Sequence, residues 1–329
     1  MPTVLIGSGV LYQSPGEHTR ILESAGFEVR YPNPGGEQLT EQQLIDNLVG
    51  VSATIAGSEP YTERVMAARP TLRVVARAGV GYDAVDLKGA KEHKVAVGIT
   101  PGTNQDAVAE QAMALLLALT KSVVPFHQTV TQGRFVRAVT KPLWGTTLGL
   151  IGLGRIGRAM AIRGRAFGMK VLAFDPYLNA TTWPTGDEIT FVDLPELLKQ
   201  SDVISLHAPM TPETSKIVRS ETIALMKDGV LILNTARGGL VDEADLSKAL
   251  RSGKVGGAGL DVFANEPPVG SPLLDAERGL FPHIAGVSSD SLRRMAIMAA
   301  QTIVDLHQGR WPSERLVNAA DLGPHWKWS

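Results

Sequence analysis

Short runs of Val, Ile and Leu return along the whole chain, each separated from the next by a stretch patterned like a helix. They fall at Val4–Ile6, Val29–Tyr31, Ala53–Ala56, Val74–Ala76 and Val95–Val97, then at Thr147–Ile151, Val171–Phe174, Val203–Leu206, Val230–Leu233 and Gly259–Val262. That alternation predicts βαβ units, and so an α/β fold built on parallel sheets. The runs are continuously apolar rather than apolar at every second position, as strands buried on both faces must be. A chain of 329 residues exceeds what one core usually serves, which predicts two domains.

Gln105 to Thr120 marks the boundary. It is a strong helix former, apolar nearly all round, as expected of a helix buried on several sides between domains or between subunits. Thr100-Pro101-Gly102-Thr103-Asn104 just before it reads as a loop and hinge. A second helix is expected to open at Asp290, where Leu292, Met295, Ala296, Ala299, Ile303 and Leu306 form one apolar stripe that stops before Gly309 and Pro312. Trp326 and Trp328 near the end carry no role the sequence reveals.

Composition closes several functional classes. The net charge is -1 with no block of Lys and Arg, so no nucleic-acid partner is expected. The chain has no cysteine, which removes disulfides, thiolate catalysis and the usual zinc sites; no metal is expected. The opening Met-Pro-Thr-Val-Leu-Ile-Gly does not read as a signal peptide, and the longest apolar run, Ala112–Leu119, is too short for a bilayer. A cytoplasmic protein without a membrane partner is the expectation.

Gly152-Leu153-Gly154-Arg155-Ile156-Gly157 follows the apolar run 147–151 and precedes a helical pattern over 158–167. A second strand pattern then ends at Asp175. In that setting the glycines permit a tight turn and bring backbone N–H groups to a pyrophosphate at the helix N-terminus. An acid about twenty residues on binds ribose hydroxyls and repels a 2′-phosphate, so Asp175 favours NAD over NADP. Arg155 either reaches a phosphate or stays a solvated surface residue.

Three later segments each set one ionisable side chain beside Gly or Pro, at what reads as a strand end. They are Asn234-Thr235-Ala236-Arg237-Gly238-Gly239-Leu240-Val241-Asp242, Asp261-Val262-Phe263-Ala264-Asn265-Glu266-Pro267 and Phe281-Pro282-His283-Ile284-Ala285-Gly286. Arg237 is a fixed cation that forks onto a carboxylate, unless it serves a structural salt bridge. His283 suits proton donation to a developing alkoxide, although a histidine in an apolar run, taken alone, is more often a hydrogen-bonded core residue. Glu266 would favour the imidazolium and orient its ring, or be a polar loop residue. Asp242 is expected to cap the helix whose inner face holds Leu246, Ala249 and Leu250. Cofactor loop, cation, acid and imidazole together point to hydride transfer on a 2-keto acid.

These segments occur with Ala76-Arg77-Ala78-Gly79-Val80-Gly81-Tyr82-Asp83-Ala84-Val85-Asp86, with Thr100–Asn104 running on to Ala107-Val108-Ala109-Glu110, and with His207-Ala208-Pro209-Met210-Thr211-Pro212-Glu213-Thr214. From Leu72 to Ala300 the chain thus resembles the D-isomer-specific 2-hydroxyacid dehydrogenases, a family that includes phosphoglycerate dehydrogenase and hydroxypyruvate reductase. The resemblance implies two Rossmann-like domains with parallel sheets. The nucleotide domain, residues 104–286, is inserted into a discontinuous substrate domain, residues 1–103 and 287–329. It implies that Arg237 binds the substrate's carboxylate and carbonyl, and that His283, paired with Glu266, protonates the carbonyl oxygen. It further implies that the amides of Val80 and Gly81 hold the carboxylate and that Asp261 meets the nicotinamide amide. The NAD contacts it implies are Gly152, Gly154, Arg155, Ile156, Gly157, Asp175, His207, Thr235, Ala236 and Asp261. Ser58, with Glu59, Tyr61, Tyr82 and Val287–Ser289, is expected to line the far end of the substrate pocket. Two subunits are expected to pair through the nucleotide domain, and the apolar helix from Gln105 fits that homodimer.

Two departures bear on substrate. Phosphoglycerate dehydrogenases carry an Arg-Ser pair after the third strand; here the stretch is Ile55-Ala56-Gly57-Ser58-Glu59-Pro60, which argues against a phosphorylated substrate. Ending near residue 329, the chain is expected to lack the serine-sensing domain of some relatives. Glu266 also stands where formate-oxidising members have Gln. The expected partner is a small 2-hydroxy or 2-keto acid. The alternatives are phosphoglycerate, or a dinucleotide-sensing binding protein like the corepressors that share this architecture.

Overall fold

The computed structural model describes residues 1–33, 38–178, 188–275 and 279–328. It divides into two compact units, Met1–Asn104 with Ser288–Ser329, and Gln105–Val287.

The first unit is built on β1 (Thr3–Ile6), β2 (Glu28–Arg30), β3 (Ala53–Ala56), β4 (Val74–Arg77) and β5 (Ala96–Gly98), all parallel in the order β2-β1-β3-β4-β5. Strands β1, β3 and β4 are buried along their full length, whereas the edge strand β2 exposes Glu28 and Arg30. The helix Ser289–His307, capped by Ser288, lays Ala296, Ala299, Ile303 and Leu306 into the core that Val4, Ile6, Ile55 and Val74 line. The tail then has a structural role. Trp326 Nε1 donates to Lys94 O at 2.8 Å, Arg73 Nε donates to Trp328 O at 3.0 Å, and the Trp328 ring packs edge-on to Phe27 and His307. Those rings fasten the end of the chain to its own unit.

The second unit carries β6 (Thr147–Ile151), β7 (Lys170–Phe174), β8 (Ile189–Phe191), β9 (Val203–Leu206), β10 (Val230–Asn234) and β11 (Val255–Leu260), again all parallel, in the order β11-β10-β9-β6-β7-β8. Sequence patterning misses β8, a three-residue edge strand that exposes Thr190. It also places β11 too late, because Gly256, Gly257 and Gly259 interrupt the apolar run. The close approach of a helix explains one of those glycines: a Cβ on Gly259 would lie 2.9 Å from the Leu115 Cβ.

That helix, Gln105–Lys121, is covered by its own unit. Its Ala109, Ala112, Met113, Leu115 and Leu116 are buried with Leu148, Leu150, Met160 and Leu233, while Leu117 and Leu119 are partly buried. Exposed apolar side chains follow it, at Val123, Val124, Val130, Phe135, Val136, Val139 and Trp144.

Candidate active site

In the second unit the chain runs from β6 out to β7 and β8, then returns past β6 to β9. The loops after β6 and β9 therefore part in opposite directions, which is where parallel sheets receive ligands. The glycines after β6 are required for different reasons. Gly152 has φ +92, and a Cβ there would lie 2.8 Å from the backbone of His207 and Ala208. A Cβ on Gly157 would lie 2.3 Å from Gly152 O. Packing demands both. Gly154 has φ -67, open to any residue, and nothing within 4 Å of its would-be Cβ. It caps the helix Arg155–Ala166, whose first amides lack helical partners and favour an anion. An exposed glycine that the protein itself does not need is what close approach of a phosphate requires.

The residues around this loop fit a dinucleotide. Asp175 ends β7; its Oδ2 accepts from Leu153 N at 2.8 Å and its Oδ1 from Tyr177 N at 2.9 Å. It steadies the glycine turn and keeps lone pairs for further donors. At the end of β9, His207 shares a 2.9 Å hydrogen bond with Ser205 Oγ through Nε2, and burial lowers its pKa to about 4. His207 Nδ1 and Thr235 Oγ1 are buried without a hydrogen-bond partner in the chain. Orphaned polar atoms of this kind call for a ligand or water. Ala236 N donates to Asn234 Oδ1, Ile156 is half-buried in the first helical turn, and Arg155 is exposed.

The acid–base candidates follow β10 and β11. Buried Asn234 donates from Nδ2 to Arg237 O at 2.8 Å and accepts from Ala236 N at 3.0 Å, curling residues 234–237 into a turn. The next residue is pressed onto the neighbouring loop: a Cβ on Gly238 would lie 1.9 Å from the Phe263 carbonyl carbon. Only glycine lets these two backbones meet. Phe263 N donates to Glu266 Oε1 at 3.1 Å, and Glu266 Oε2 meets His283 Nδ1 at 2.7 Å. Burial works to raise the Glu266 pKa. The hydrogen bond and charge of His283, the Phe263 N–H and the Arg237 charge outweigh it, and the carboxyl sits below its ordinary value. Arg237 is half-buried, with Nη1 donating to Ala236 O at 2.6 Å.

His283 does not end a strand. Leu280 makes a single bridge to Leu260, after which the chain leaves the sheet and His283 adopts φ +54. A non-glycine residue stays there only when its surroundings hold it. Asp261 does so. Its carbonyl accepts from His283 N at 2.8 Å, while its carboxylate accepts from Ile284 N at 3.0 Å and Ala285 N at 2.8 Å. Asp261 is 0% exposed, so in this structure it braces the histidine and offers no surface for the nicotinamide contact expected of it. With Nδ1 on Glu266, Nε2 is the ring nitrogen that can reach a substrate.

Val80 and Gly81 belong to the first unit, after β4. Thr100 N donates to Gly79 O at 3.0 Å and Arg77 Nε to Gly81 O at 2.8 Å. Ser58 is exposed, with its carbonyl accepting from Gln38 Nε2. Glu59 and Tyr61 face inward, against the expectation that they line a pocket: Glu59 is 1% exposed, and Tyr61 is fully buried with its hydroxyl on Thr54 Oγ1. Tyr82 and Val287 remain exposed. Sequence reasoning missed the bracing by Asn234 and Arg77. A charged residue closing the apolar run 74–76, two residues before Gly79-Val80-Gly81, was the available signal for Arg77.

A family model for the NAD binding domain of D-isomer specific 2-hydroxyacid dehydrogenases matches residues 113–285. Hydroxypyruvate reductase of Thermotoga maritima is 40% identical over 274 residues, covering 81% of this chain and 88% of that one. D-3-phosphoglycerate dehydrogenase of Methanocaldococcus jannaschii is 35% identical over 86% of this chain, which spans only 55% of that longer protein. Among solved structures, D-lactate dehydrogenase from Aquifex aeolicus, complexed with NAD and lactic acid, aligns with a TM-score of 0.81 at 29% identity, over 98% of this chain and 99% of that one.

Proposed function

The chain belongs to the D-isomer specific 2-hydroxyacid dehydrogenases, and we propose that Arg237, Glu266 and His283 are the reaction centre with which it interconverts a small, unphosphorylated 2-keto acid and its D-2-hydroxy acid. It is an NAD-dependent oxidoreductase. NAD, when bound, carries the hydride away from or to the substrate carbon.

The chain's own residues supply the rest. The open side of Gly154 and the first amides of the helix Arg155–Ala166 receive the pyrophosphate, with Asp175 at the ribose and His207 and Thr235 offering polar atoms nearby. Arg237 receives the substrate's carboxylate and polarises its carbonyl. In reduction His283 gives the proton on Nε2 to the carbonyl oxygen; in oxidation it takes that proton back. Glu266, kept ionised, stabilises the imidazolium and holds Nδ1–H, which turns Nε2 toward the substrate. The observation that carries this reading is the 2.7 Å contact between Glu266 and His283, beside a loop that carries Arg237.

An inward-facing acid after β3, with only Ser58 exposed beside it, supports an unphosphorylated substrate. The exposed apolar residues from Val123 to Trp144 support pairing of two copies through the second unit. A chain without cysteine suits the cytoplasm, where soluble NAD and small acids meet.

The test is NADH oxidation across a panel of 2-keto acids: hydroxypyruvate, glyoxylate, pyruvate and 3-phosphohydroxypyruvate. His283→Ala is expected to lower turnover on the best substrate by roughly a hundredfold or more, with NADH affinity unchanged. Unchanged turnover in that variant would remove His283 from the mechanism. Tight NADH binding with no turnover on any acid would favour a dinucleotide sensor.

A further inference from the structure

Glu266 sits on a loop that has little of its own to hold it. After β11 the chain forms no regular helix or strand through residue 275, Ala264–Pro267 are exposed, and so is Val269. Phe263 and Leu273 pin its two ends, buried with Leu246 in the core of the second unit. Between those pins the loop arches over an open recess lined by Glu243, Asn265, Pro268, Ser271 and Pro272, so side-chain packing does not fix its shape.

The floor of the recess is the first turn of the helix Glu243–Ser252, which Asp242 caps through Asp245 N. Glu243 turns both carboxylate oxygens to the arch. Oε1 accepts from Ala264 N at 2.8 Å, and Oε2 accepts from Ser271 Oγ at 2.5 Å. One helical turn on, Ser247 Oγ donates to Pro272 O at 3.0 Å from the same face. One side chain thus ties together the two feet of the arch 264–271, and an anion at a helix N-terminus is favourably placed to do so. Closing a loop in this way removes much of its freedom.

The tie bears on the acid–base pair. Gly238 lies against the Phe263–Ala264 peptide, where a Cβ would stand 1.9 Å from the Phe263 carbonyl carbon and 2.4 Å from Ala264 N. Glu243 holds the N–H of that same peptide. The preceding amide, Phe263 N, donates to Glu266 Oε1, and Glu266 Oε2 meets His283 Nδ1. From helix to imidazole, every link is a hydrogen bond or a backbone connection inside the second unit. We propose that Glu243 is a positioning residue, a clamp that closes the arch 264–271 and so keeps the Glu266 carboxylate on His283 Nδ1. The proposal rests on the reading that Glu266 and His283 move the proton. Glu243 moves none itself and acts only through the loop.

Glu243→Ala, Glu243→Gln and Ser271→Ala test it in the full-length protein, each also combined with Glu266→Ala. The readouts are kcat and KM for the best keto acid, the NADH dissociation constant, and amide hydrogen exchange of the peptide spanning residues 262–272. A shift of about 1 Å costs roughly a hundredfold in turnover, so a loosened carboxylate should lower kcat about tenfold in Glu243→Ala. NADH affinity should hold, and exchange should quicken at 263–266. Glu243→Gln keeps an acceptor for Ala264 N and should recover most of the loss. Ser271→Ala removes one arm and should show the same pattern in smaller measure, which keeps the test open should Glu243→Ala fail to fold. In the Glu266→Ala background both alanine variants should cost little more, because they act through a carboxylate no longer present. A merely structural role predicts the same loss with or without Glu266, and that result, or an unchanged kcat in Glu243→Ala, overturns the clamp while leaving the reaction centre as read. Unchanged turnover in Glu266→Ala itself removes that reading, and the clamp's purpose with it.

Discussion

Gly154→Ala separates a glycine kept for a ligand from one kept for the fold. The residue's φ of -67 suits alanine, and its new methyl would meet nothing within 4 Å. At a helix N-cap alanine is poorer than glycine by about 0.5–1 kcal/mol. Restricting the unfolded chain returns about 0.4–1 kcal/mol. Stability should therefore stay close to the parent's, with a melting shift of no more than about 2 °C. The methyl stands where a phosphate must approach the amides, and losing one charge-assisted hydrogen bond costs about 1.5–3 kcal/mol, or roughly ten- to over a hundredfold in NADH affinity. Gly157→Ala should behave differently. Its Cβ would sit 2.3 Å from Gly152 O, so the turn must open by about 1 Å to reach an ordinary C···O contact. Overpacking of that sort costs about 1–3 kcal/mol, and the melting temperature should fall by several degrees along with NADH binding. Fluorescence titration with NADH and a thermal melt on both variants decide the matter. Parental NADH affinity in Gly154→Ala, or a loss of stability equal to that of Gly157→Ala, would refute the assignment.

Two further perturbations probe the site. Gly238→Ala forces the Arg237 turn away from the Phe263 carbonyl, now positioned so that a Cβ would lie 1.9 Å from its carbon. A misplacement of about 1 Å costs roughly a hundredfold in turnover, so kcat at saturating NADH should fall by that order while NADH affinity holds, and a fall of less than about threefold would show that this backbone contact does not set Arg237. His207 makes stability fall on acidification. Burial holds its folded-state pKa at about 4 against 6.5 in an unfolded chain, so below pH 6.5 the unfolded state takes up a proton that the folded state refuses. Its contribution is complete above pH 6.5 and drains away down to about pH 4, by at most ~3 kcal/mol, and by less to the extent that the half-buried ring meets water. Urea midpoints of the parent and His207→Gln between pH 7 and 4 should converge as pH falls, and parallel curves would sink the idea.

The fold was legible wherever a strand is central. Runs such as Val203–Leu206 are apolar at every position because both faces are covered, and that pattern needs no tertiary knowledge. It fails at β8, whose edge position asks little of Ile-Thr-Phe, and at β11, where glycines demanded by packing dilute the signal. The helix from Gln105 was legible only in part. An all-round apolar helix announces burial, but only the packing of Leu115 against Gly259 shows that the cover is its own sheet. The proposed charged centre drew notice in the sequence because Arg237, Glu266 and His283 sit next to Gly or Pro, where backbones turn. Tyr61 and Glu59 misled because a polar loop containing Pro60 looks exposed. In the structure the Tyr61 backbone is laced to the next loop, with its N–H on Ala84 O and its carbonyl on Asp86 N, and that carries both side chains inward.

Roles filled by partners distant in sequence lay beyond reading. Asp261, next to the end of β11, invites a ligand; that its carboxylate is taken by amides 23 and 24 residues later is a fact of tertiary structure alone. The same logic runs through the whole proposed reaction centre. Arg237 hangs from Asn234, Glu266 from the Phe263 amide and His283 from Asp261. Each brace is a main-chain group or a buried residue at or just after the end of β10 or β11, two neighbouring parallel strands. The geometry of the acid–base pair is thus set by the sheet itself and not by the exposed side chains around it.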